Sequence, residues 1–449
     1  MKFDIVIHNA LIVTVNPDFD IIKNGVIGIR DGLIERVQEG GKDVSAFPAS
    51  EYIDAGGGIV MPGLVNVHTH LPMSLFRGLA DDLPLAEWLN DHIFPAESRY
   101  ITPETARIGA LLSCLEMLLS GTTTCCDGYF FEDEVAEAIS LSGIRAVAGQ
   151  GVIDFPAPGV PDPSRNVEMA AAFVEKWKHR SPLVTPSIFC HSPYTCSAET
   201  LKKAKQAADR LGVLFQIHVA ETKYERNQSL AATGLTPVAY LDSLGMLDEN
   251  TLAVHAVWVD EDDLDILARL GVKIAHAPES NMKLASGVAP VPRMLEKGLS
   301  VGLGTDGCAS NNNLDLFGEM DMAAKLHKVT AFDPTVMNAR TVVRMATTMG
   351  ARAIGLGDRI GSLEPGKQAD IIIIDTRKPH LTPMYHPESH LVYAVRGADV
   401  RDVLVAGRVL VRDYRPVDLD VVATLQNARY VGEKVKADGR LAGPGLSNQ

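Results

Sequence analysis

The residues best able to do chemistry are histidines and an aspartate that follow apolar, strand-like runs. His68 and His70 lie in the segment VHTH, directly after the apolar run 59–67. Alternate side chains of a strand face the same side, so these imidazoles point one way, about 6.6 Å apart along the chain. Two imidazoles at this spacing suit one shared metal ion. An isolated His-x-His pair is weak support, because surface histidines often produce it.

Three further strand-like runs end at residues of similar chemistry. His218 lies near the end of one run, and Glu221 follows three residues later. His255 ends the next run, and Asp306 follows a later one. Taken singly, each is more simply explained as a buried histidine or a turn aspartate. Four runs that all end this way favour one site where the strand ends converge.

The elements that must position these residues alternate in type along the middle of the chain. Apolar runs alternate with helical stretches between residues 59 and 303, in about eight units. Strands that alternate with helices indicate a parallel sheet, and this number of units predicts a closed TIM (β/α)8 barrel. A doubly wound open sheet is the alternative, because periodicity does not separate the two folds.

The sequence pattern at both ends of the chain is typical of short strands. Residues 1–61 and 369–449 contain β-rich runs that are separated by Gly-containing turns. We therefore expect both termini to build one small β-sandwich, with a C-terminal tail after it. The barrel is then expected to span residues 62–368.

Composition excludes several classes of partner. The formal net charge of the 449 residues is −14, which argues against nucleic acid. No apolar run is long enough to span a bilayer, so no membrane partner is expected. The first residues lack the pattern of a secretory signal, and the six scattered cysteines are typical of reduced thiols. We expect a cytoplasmic protein.

The motifs resemble those of a known superfamily in both order and spacing. VHTH, HVAE, VHAV and GTDG, at residues 67–70, 218–221, 254–257 and 304–307, are similar to the amidohydrolase superfamily. The resemblance covers nearly the whole chain and implies a metal-dependent hydrolase. It also assigns roles to six residues. The implied metal ligands are His68, His70, His218 and Asp306, and the implied catalytic residues outside the core ligand set are Glu221 and His255.

The expected number of metal ions follows from the absence of a residue that could bridge two of them. Members with two metals carry a bridging modified lysine or a glutamate at the end of the fourth strand, and the matching segment 187–194, SIFCHSPY, has no lysine. We expect one divalent ion per subunit. Zinc is the first choice because three nitrogens and one oxygen suit it, and iron is the alternative because imidazole suits iron too.

Three longer segments narrow the resemblance to one family. FRGLADDLPLAEWLNDHIFPAE at 76–97, HSPYTCS at 191–197 and SNMKLASGVAPV at 280–291 resemble the 5′-methylthioadenosine/S-adenosylhomocysteine deaminases. That implies hydrolytic deamination of an adenosine-type nucleoside. Glu97 is then expected to accept hydrogen bonds from the ribose, His191 to contact the purine, and Trp88 to line the pocket. Without the motif, Glu97 is better explained as a solvated carboxylate and Trp88 as a core aromatic residue.

The implied reaction assigns proton transfers to three side chains. A divalent ion lowers the pKa of its bound water from 15.7 to about 7, which makes hydroxide available as the nucleophile. Asp306 and His255 are expected to take the proton from that water. Glu221 is expected to protonate a ring nitrogen and, by acid–base transfer, to let ammonia leave.

One departure from the family concerns the 5′ end of the substrate. Members that use S-adenosylhomocysteine carry arginines for its carboxylate, and Gln150 stands where one of them is expected. Arg165 is the candidate for the other. Gln150 predicts a preference for small neutral 5′ groups, as in 5′-methylthioadenosine, adenosine or 5′-deoxyadenosine.

Two other hypotheses stay open at this point. The same ligands could serve a deaminase or dechlorinase of guanine, cytosine, a pterin or an s-triazine, because fold and metal do not determine the substrate. A non-enzymatic scaffold that has lost its ligands is disfavoured, since all six site residues are present. Whether the enzyme acts on a nucleoside or on another heterocycle, its partner is a small-molecule substrate. We also expect the chain to form a homo-oligomer.

Overall fold

The computed structural model describes residues 2–40 and 44–437. Nine strands from the two ends of the chain belong to one sheet, and eight strands from the middle belong to another. The first group is β1 Phe3–Val13, β2 Ile21–Arg30, β3 Leu33–Glu39, β4 Ala49–Asp54 and β5 Ile59–Pro62, then β14 Ile371–Ile374, β15 Val400–Val405, β16 Arg408–Arg412 and β17 Arg415–Pro416. The second group is β6 Leu64–Thr69, β7 Thr122–Tyr129, β8 Arg145–Val152, β9 Val184–Cys190, β10 Phe215–Val219, β11 Thr251–His255, β12 Lys273–His276 and β13 Ser300–Leu303.

Helices follow most of the barrel strands, as the alternating pattern predicts. The α-helices before β10 are α1 Leu85–Glu87, α2 Phe94–Tyr100, α3 Pro103–Leu119, α4 Glu132–Ser142, α5 Asn166–Trp177 and α6 Ala198–Leu211. Those after β10 are α7 Lys223–Thr233, α8 Pro237–Ser243, α9 Glu261–Arg269, α10 Pro278–Lys283, α11 Val291–Glu296, α12 Cys308–Asn311, α13 Leu316–Ala331, α14 Ala339–Met345, α15 Thr348–Ala353, α16 Pro387–Tyr393 and α17 Val421–Ala437. Trp88–Ile93 forms a π-helical turn, and the 3-10 turns are Val44–Ala46, Leu71–Phe76, Pro163–Arg165, Pro379–Leu381 and Gly397–Asp399.

The eight middle strands form the predicted barrel. They pair in parallel in the order β6 to β13, so each strand lies beside the next one in the chain. The ends of the row meet where the backbone N–H of Asp306 donates to the carbonyl of His68 at 3.0 Å. Asn66 supports this closure, because its Oδ1 accepts from the backbone N–H of Thr305 at 3.1 Å. This strand order and closure exclude the doubly wound open sheet.

The two termini build a single mixed sheet. Its strand order is β17-β16-β15-β14-β5-β1-β2-β3, and β4 pairs with β1. The central contact joins N-terminal β5 to C-terminal β14, with Ile59 opposite Ile374. A separate sheet domain built from both ends is therefore confirmed. The expected boundaries stay a prediction: β5 ends at Pro62, β14 begins at Ile371, and the tail 438–449 lies outside the described residues.

The buried core lies in layers around the barrel. One cluster combines barrel-strand residues such as Val65, Val147 and Val254 with Ala351 of α15. A larger cluster packs the outer helices against the strands. Among residues 2–40 and 44–437, no helix is both long and apolar enough to cross a membrane.

Candidate active site

Four of the residues singled out in the sequence meet at the carboxyl ends of three barrel strands. His68 Nε2 lies 3.2 Å from His218 Nε2 and 3.4 Å from Asp306 Oδ1. His70 Nε2 lies 3.3 Å from the same oxygen of Asp306. β6 carries His68 with His70 directly after it, β10 carries His218, and Asp306 follows β13. Three imidazoles and one carboxylate therefore share one small volume.

This cluster has the donor chemistry of a divalent metal site. Two neutral imidazole nitrogens that face each other at 3.2 Å repel unless a proton or a cation lies between them. The other nitrogen of His70, Nδ1, lies 2.6 Å from the carbonyl of Gly128, to which it donates, so Nε2 is left as a lone-pair donor. Three nitrogens and one oxygen suit zinc and other divalent transition metals. The residues present thus fit a bound divalent ion.

Hydrogen bonds hold Asp306 in its orientation. Its Oδ2 accepts from Ser280 Oγ at 2.7 Å and from Ser310 Oγ at 2.9 Å, and its Oδ1 accepts from the N–H of Gly307 at 2.7 Å. Burial alone raises the pKa of Asp306, but the hydrogen bonds from His68 and His70 bring it well below its usual value. The carboxylate is therefore ionised and aimed at the histidines.

Two strand ends turn towards the cluster through left-handed backbone. His255 has φ 73° and Asp306 has φ 62°, which are uncommon values for residues other than glycine. Such conformations cost roughly 1–3 kcal/mol and persist where the surroundings over-determine them. They place both side chains at the mouth of the barrel beside the metal-compatible cluster.

His255 and Glu221 lie beside the cluster. His255 Nδ1 lies 3.0 Å from Asn281 Oδ1, which leaves Nε2 facing Glu221 Oε2 at 3.8 Å. Burial raises the pKa of Glu221, against the opposing charge of His255. The ligand atoms of His68, His218 and His255 also lie within 4.8 Å of one another, so His255 is close enough to contact what these histidines hold.

A cleft opens from this cluster towards the surface. It encloses about 660 Å³ of space, part of it open to solvent. Trp88, Glu97 and His191 all line it, together with His70, His218, Glu221, His255 and Asp306. Its remaining walls are mostly apolar and include Leu85, Leu89, Phe94, Tyr129, Phe189 and Leu284. A flat apolar ring with a few polar atoms fits such a cleft.

Glu97 is a buried carboxyl group on the cleft wall. Only 4% of the residue is exposed, and the hydroxyl of Tyr129 donates to its Oε1 at 2.5 Å. Burial raises the pKa of Glu97 to about 7, although the bond from Tyr129 opposes the shift. The second oxygen is free to accept hydrogen bonds from a ligand. A solvated helix-end carboxylate does not describe this residue.

His191 faces the cleft as a neutral imidazole. Its Nδ1 lies 2.9 Å from Thr195 Oγ1 and 3.3 Å from Ser192 Oγ. Burial lowers the pKa of His191 to about 3. Its ring packs against those of Phe94 and His218. The hydroxyl partners leave Nε2 available for a ligand.

Comparison with known proteins agrees with this geometry. A family model described as "Amidohydrolase family" matches residues 59–410. The chain belongs to the amidohydrolase family. It is similar to a 5-methylthioadenosine/S-adenosylhomocysteine deaminase of Syntrophobacter fumaroxidans, with 48% identity over 97% of this chain and 99% of that protein. It is also similar to a 5′-deoxyadenosine deaminase of Methanosarcina acetivorans, with 46% identity over 97% and 99% of the two chains.

A solved structure provides a third comparison. This amidohydrolase superposes on an adenosine deaminase from Xanthomonas campestris with bound zinc, with a TM-score of 0.94 and 37% identity. The match covers 97% of this chain and 99% of that one. The resemblance inferred from the motifs is thereby confirmed, and so is the barrel fold.

Two of the expected substrate contacts of this amidohydrolase do not line the cleft. Gln150 is buried in β8, where its Oε1 accepts from the backbone N–H of Glu132 at 3.2 Å. Arg165 is exposed and pairs with Glu168 at 3.3 Å. Sequence position alone suggested both, but their side chains bond elsewhere. The expected preference for small 5′ groups stays a prediction without support from these two positions.

Sequence reasoning missed several residues of the site. Tyr129 ends barrel strand β7 and holds Glu97, and Phe189 packs against the ring of His218 with centroids 5.1 Å apart. The position of Tyr129 at a strand end was a usable signal. Ser280 begins one of the segments that carry the resemblance and Ser310 follows GTDG by three residues, but nothing in the sequence shows that both hydroxyls converge on Asp306.

Proposed function

We propose that this amidohydrolase hydrolyses the exocyclic amine of adenosine-type nucleosides to give the inosine analogue and ammonia. One observation carries the proposal: a single cleft joins the His and Asp cluster to the buried carboxyl of Glu97. The first end suits attack by water on a purine carbon, and the second suits recognition of a sugar. The deaminases similar to this chain act on purine nucleosides according to their names, which supports the same substrate class.

The proposed metal ligands are His68, His70, His218 and Asp306. Zinc is the metal that we propose, since the donor set is three nitrogens and one oxygen and the related adenosine deaminase was solved with zinc. When bound, the divalent ion supplies the Lewis acidity that lowers the pKa of the attacking water. Elemental analysis is expected to find about one ion per chain, with zinc in excess of iron.

Proton transfers fall to three residues of this chain. Asp306 and His255 accept the proton that water loses as its oxygen bonds to the purine carbon C6. Glu221, which burial keeps protonated to a higher pH than a free glutamate, donates to the ring nitrogen beside that carbon. The proton taken from water passes on to the exocyclic nitrogen, the C–N bond breaks to release ammonia, and the hydroxyl now on C6 gives its proton back to Glu221 as it becomes a carbonyl, so one water is consumed and one ammonia leaves.

The remaining contacts orient the nucleoside. We assign the ribose hydroxyls to Glu97, the purine ring to His191, and one wall of the base pocket to Trp88. The apolar side chains around them exclude bulk water from the reacting carbon. Specificity for a nucleoside over a free base then rests on Glu97.

A substrate comparison tests the proposal. We expect kcat/KM, measured by ammonia release, to be higher for adenosine, 5′-deoxyadenosine and 5′-methylthioadenosine than for adenine, guanine or an s-triazine. Above the pKa of Glu97, which is about 7, Glu97→Ala should lower kcat/KM for nucleosides by ~10–100-fold, since a hydrogen bond to a charged group contributes ~1.5–3 kcal/mol. The same change should affect free adenine little.

Glu97→Gln is the matched control, because it keeps the shape and one acceptor oxygen. It should retain more of the nucleoside activity than Glu97→Ala. Equal losses on adenosine and on free adenine, or turnover of guanine or a triazine above that of every nucleoside, would contradict the proposal.

A further inference from the structure

A second pocket lies at the opposite end of the barrel from the metal cluster. It opens at the amino ends of β12 and β13, where Lys273 and Ser300 are the first residues of their strands. Residues of α14, of α15 and of the segment before β14 form much of its wall, and residues from 15–17 and 295–299 complete it. It encloses about 1310 Å³ of space, part of it open to solvent, and shares no lining residue with the cleft. We call it the basal pocket.

The charge of the basal pocket is opposite to that of the whole chain. Its ionisable lining residues are the four cations Lys273, Arg344, Arg352 and Lys367 and the single carboxylate Glu364. The chain as a whole has a formal net charge of −14. Convergence of cations on one concave surface of an acidic protein creates a local positive potential that attracts anions.

Carboxylates neutralise little of this charge. Lys273 Nζ donates to the carbonyl of Gly271 at 2.7 Å, and Arg344 Nη2 donates to the carbonyl of Pro17 at 3.0 Å. Such bonds satisfy the donors but leave each positive charge in place. Lys367 is the cation that carboxylates do approach, since Glu364 lies 3.8 Å away and the charge of Asp358 also acts on it.

Arg352 is the free cation of the basal pocket. Its side chain is exposed, and within residues 2–40 and 44–437 its guanidinium has no hydrogen bond or ion pair. Its stem lies close to Gly357, where an added Cβ would meet Arg352 Cγ at 2.6 Å. Arg352 and Lys367 both line the pocket; burial lowers the pKa of Lys367 and the charge of Arg352 adds to this shift, while Glu364 and Asp358 oppose it.

We propose that the basal pocket binds a small anion that carries a chain of two or more phosphate groups. A guanidinium presents a planar fork that fits phosphate oxygens, and lysine ammonium groups act as point charges on them. Four cations against Glu364 and the neighbouring Asp358 leave an excess of two positive charges, which a single monovalent anion does not balance. The phosphate groups belong either to a free polyphosphate or to the triphosphate of a nucleotide, since both ligands present the same row of linked phosphates.

Calorimetric titration of the metal-loaded protein with tripolyphosphate tests the proposal. Binding should be saturable, with one site per chain, and should weaken as salt rises because exposed charges are screened. Arg352→Ala and Lys273→Ala should each weaken binding by about tenfold, which corresponds to 1.4 kcal/mol. Arg210→Ala is the matched control and should bind like the wild type, because Arg210 is an exposed arginine on α6 that has no ion pair with any residue that the structure describes. Metal content is measured before and after, because polyphosphates chelate metals.

Uridine triphosphate separates the two sources. Binding at least tenfold tighter than that of tripolyphosphate assigns the pocket to nucleotides, and equal affinity assigns it to the phosphate chain alone; both results support the proposal. Absence of saturable binding at millimolar concentrations overturns it. So does a pair of variants, Arg352→Ala and Lys273→Ala, that bind as tightly as Arg210→Ala.

Discussion

Glu221 is the side chain in which position and proton affinity combine most clearly. It lies beside the metal cluster, with Oε2 3.8 Å from His255 Nε2, and Ser286 Oγ lies 3.4 Å from its Oε1. Two hydrogen bonds hold its backbone in place, because the carboxylate of Glu225 accepts from the N–H groups of Ala220 and Glu221 at 2.8 Å each. A rigid backbone and a raised pKa suit a residue that delivers a proton to one ring atom.

Glu221→Gln separates proton transfer from metal binding. If Glu221 is an acid–base group and no ligand, the variant keeps about one metal ion per chain. Its kcat should nevertheless fall by ~10²–10⁴-fold, the usual contribution of a general acid–base residue. Metal analysis and steady-state rates on adenosine check the two parts.

Ser286→Ala is the control for this experiment. It removes a weak partner of Glu221 while leaving the carboxyl group in place, so kcat should change far less than in Glu221→Gln. Loss of the metal together with activity in Glu221→Gln would instead make Glu221 a ligand.

At the scale of elements, two short helices orient the carboxylate of Asp306. Ser280 comes from α10 and Ser310 from α12, and both hydroxyls donate to the same oxygen, Oδ2. The other oxygen, Oδ1, therefore faces His68 and His70. These helices follow β12 and β13, so the loops at the ends of two barrel strands cooperate on one ligand.

Loss of one hydroxyl should loosen the metal. Partners that orient a metal ligand typically contribute 10–100-fold in metal affinity or activity. Ser280→Ala is expected to weaken metal binding by about tenfold, and Ser280→Ala with Ser310→Ala by more. Competition with a chelator of known affinity measures the effect.

Ser142→Ala is the matched control, since Ser142 is a buried serine whose hydroxyl donates to the carbonyl of Ile139 at 2.8 Å, accepts from the N–H of Ile144 at 3.3 Å and does not line the cleft. It should bind metal like the wild type. Unchanged metal affinity in the double variant would show that Asp306 keeps its orientation without these helices.

At the scale of the molecule, a buried ion pair joins the barrel to the terminal sheet. Arg145, at the start of β8, donates from Nε and Nη2 to the two oxygens of Asp370 at 2.8 and 3.0 Å. Both side chains are only 2% exposed. Asp370 precedes β14 and also accepts from the N–H of Ala406 at 2.7 Å. The pair thus links barrel strand β8 to the start of β14 and to the turn after β15.

Asp370→Asn should destabilise the whole protein. It leaves the guanidinium of Arg145 buried without its counter-charge, which typically costs ~3–5 kcal/mol. The free energy of unfolding in urea measures the loss. Replacement of both partners by Arg145→Met with Asp370→Leu should recover much of it, because two apolar side chains need no compensation.

The exposed pair Arg408 and Asp418 provides the comparison. Its side chains are 60% and 50% exposed, so Asp418→Asn should cost no more than ~1 kcal/mol. A loss in Asp370→Asn as small as that in Asp418→Asn would mean that the buried pair contributes nothing to the link between the domains.

The sequence by itself determined the alternation of strands with helices and the residues at the strand ends, whereas closure of the strands into a barrel was decided by their pairing in the structure. Apolar runs set the strands, and parallel strands must end on the same side, so His68, His218 and Asp306 had to converge. The period at which apolar residues recur is a local property of the chain, which is why the strands and helices could be read without coordinates. The motifs added the family, which the comparisons confirm, and the deaminase activity that we propose.

Only the tertiary structure decided where the less regular side chains lie. Gln150 lies two residues before the end of β8, near where the other candidate site residues lie on their strands, but its amide bonds to Glu132 and does not line the cleft. His255 comes within reach of His68 and His218 because its backbone adopts φ 73°, a turn that no sequence pattern specifies. The ion pair of Arg145 with Asp370 joins residues 225 positions apart. Such contacts depend on rotamers, loop paths and distant partners, and these are set by packing after the strands have assembled.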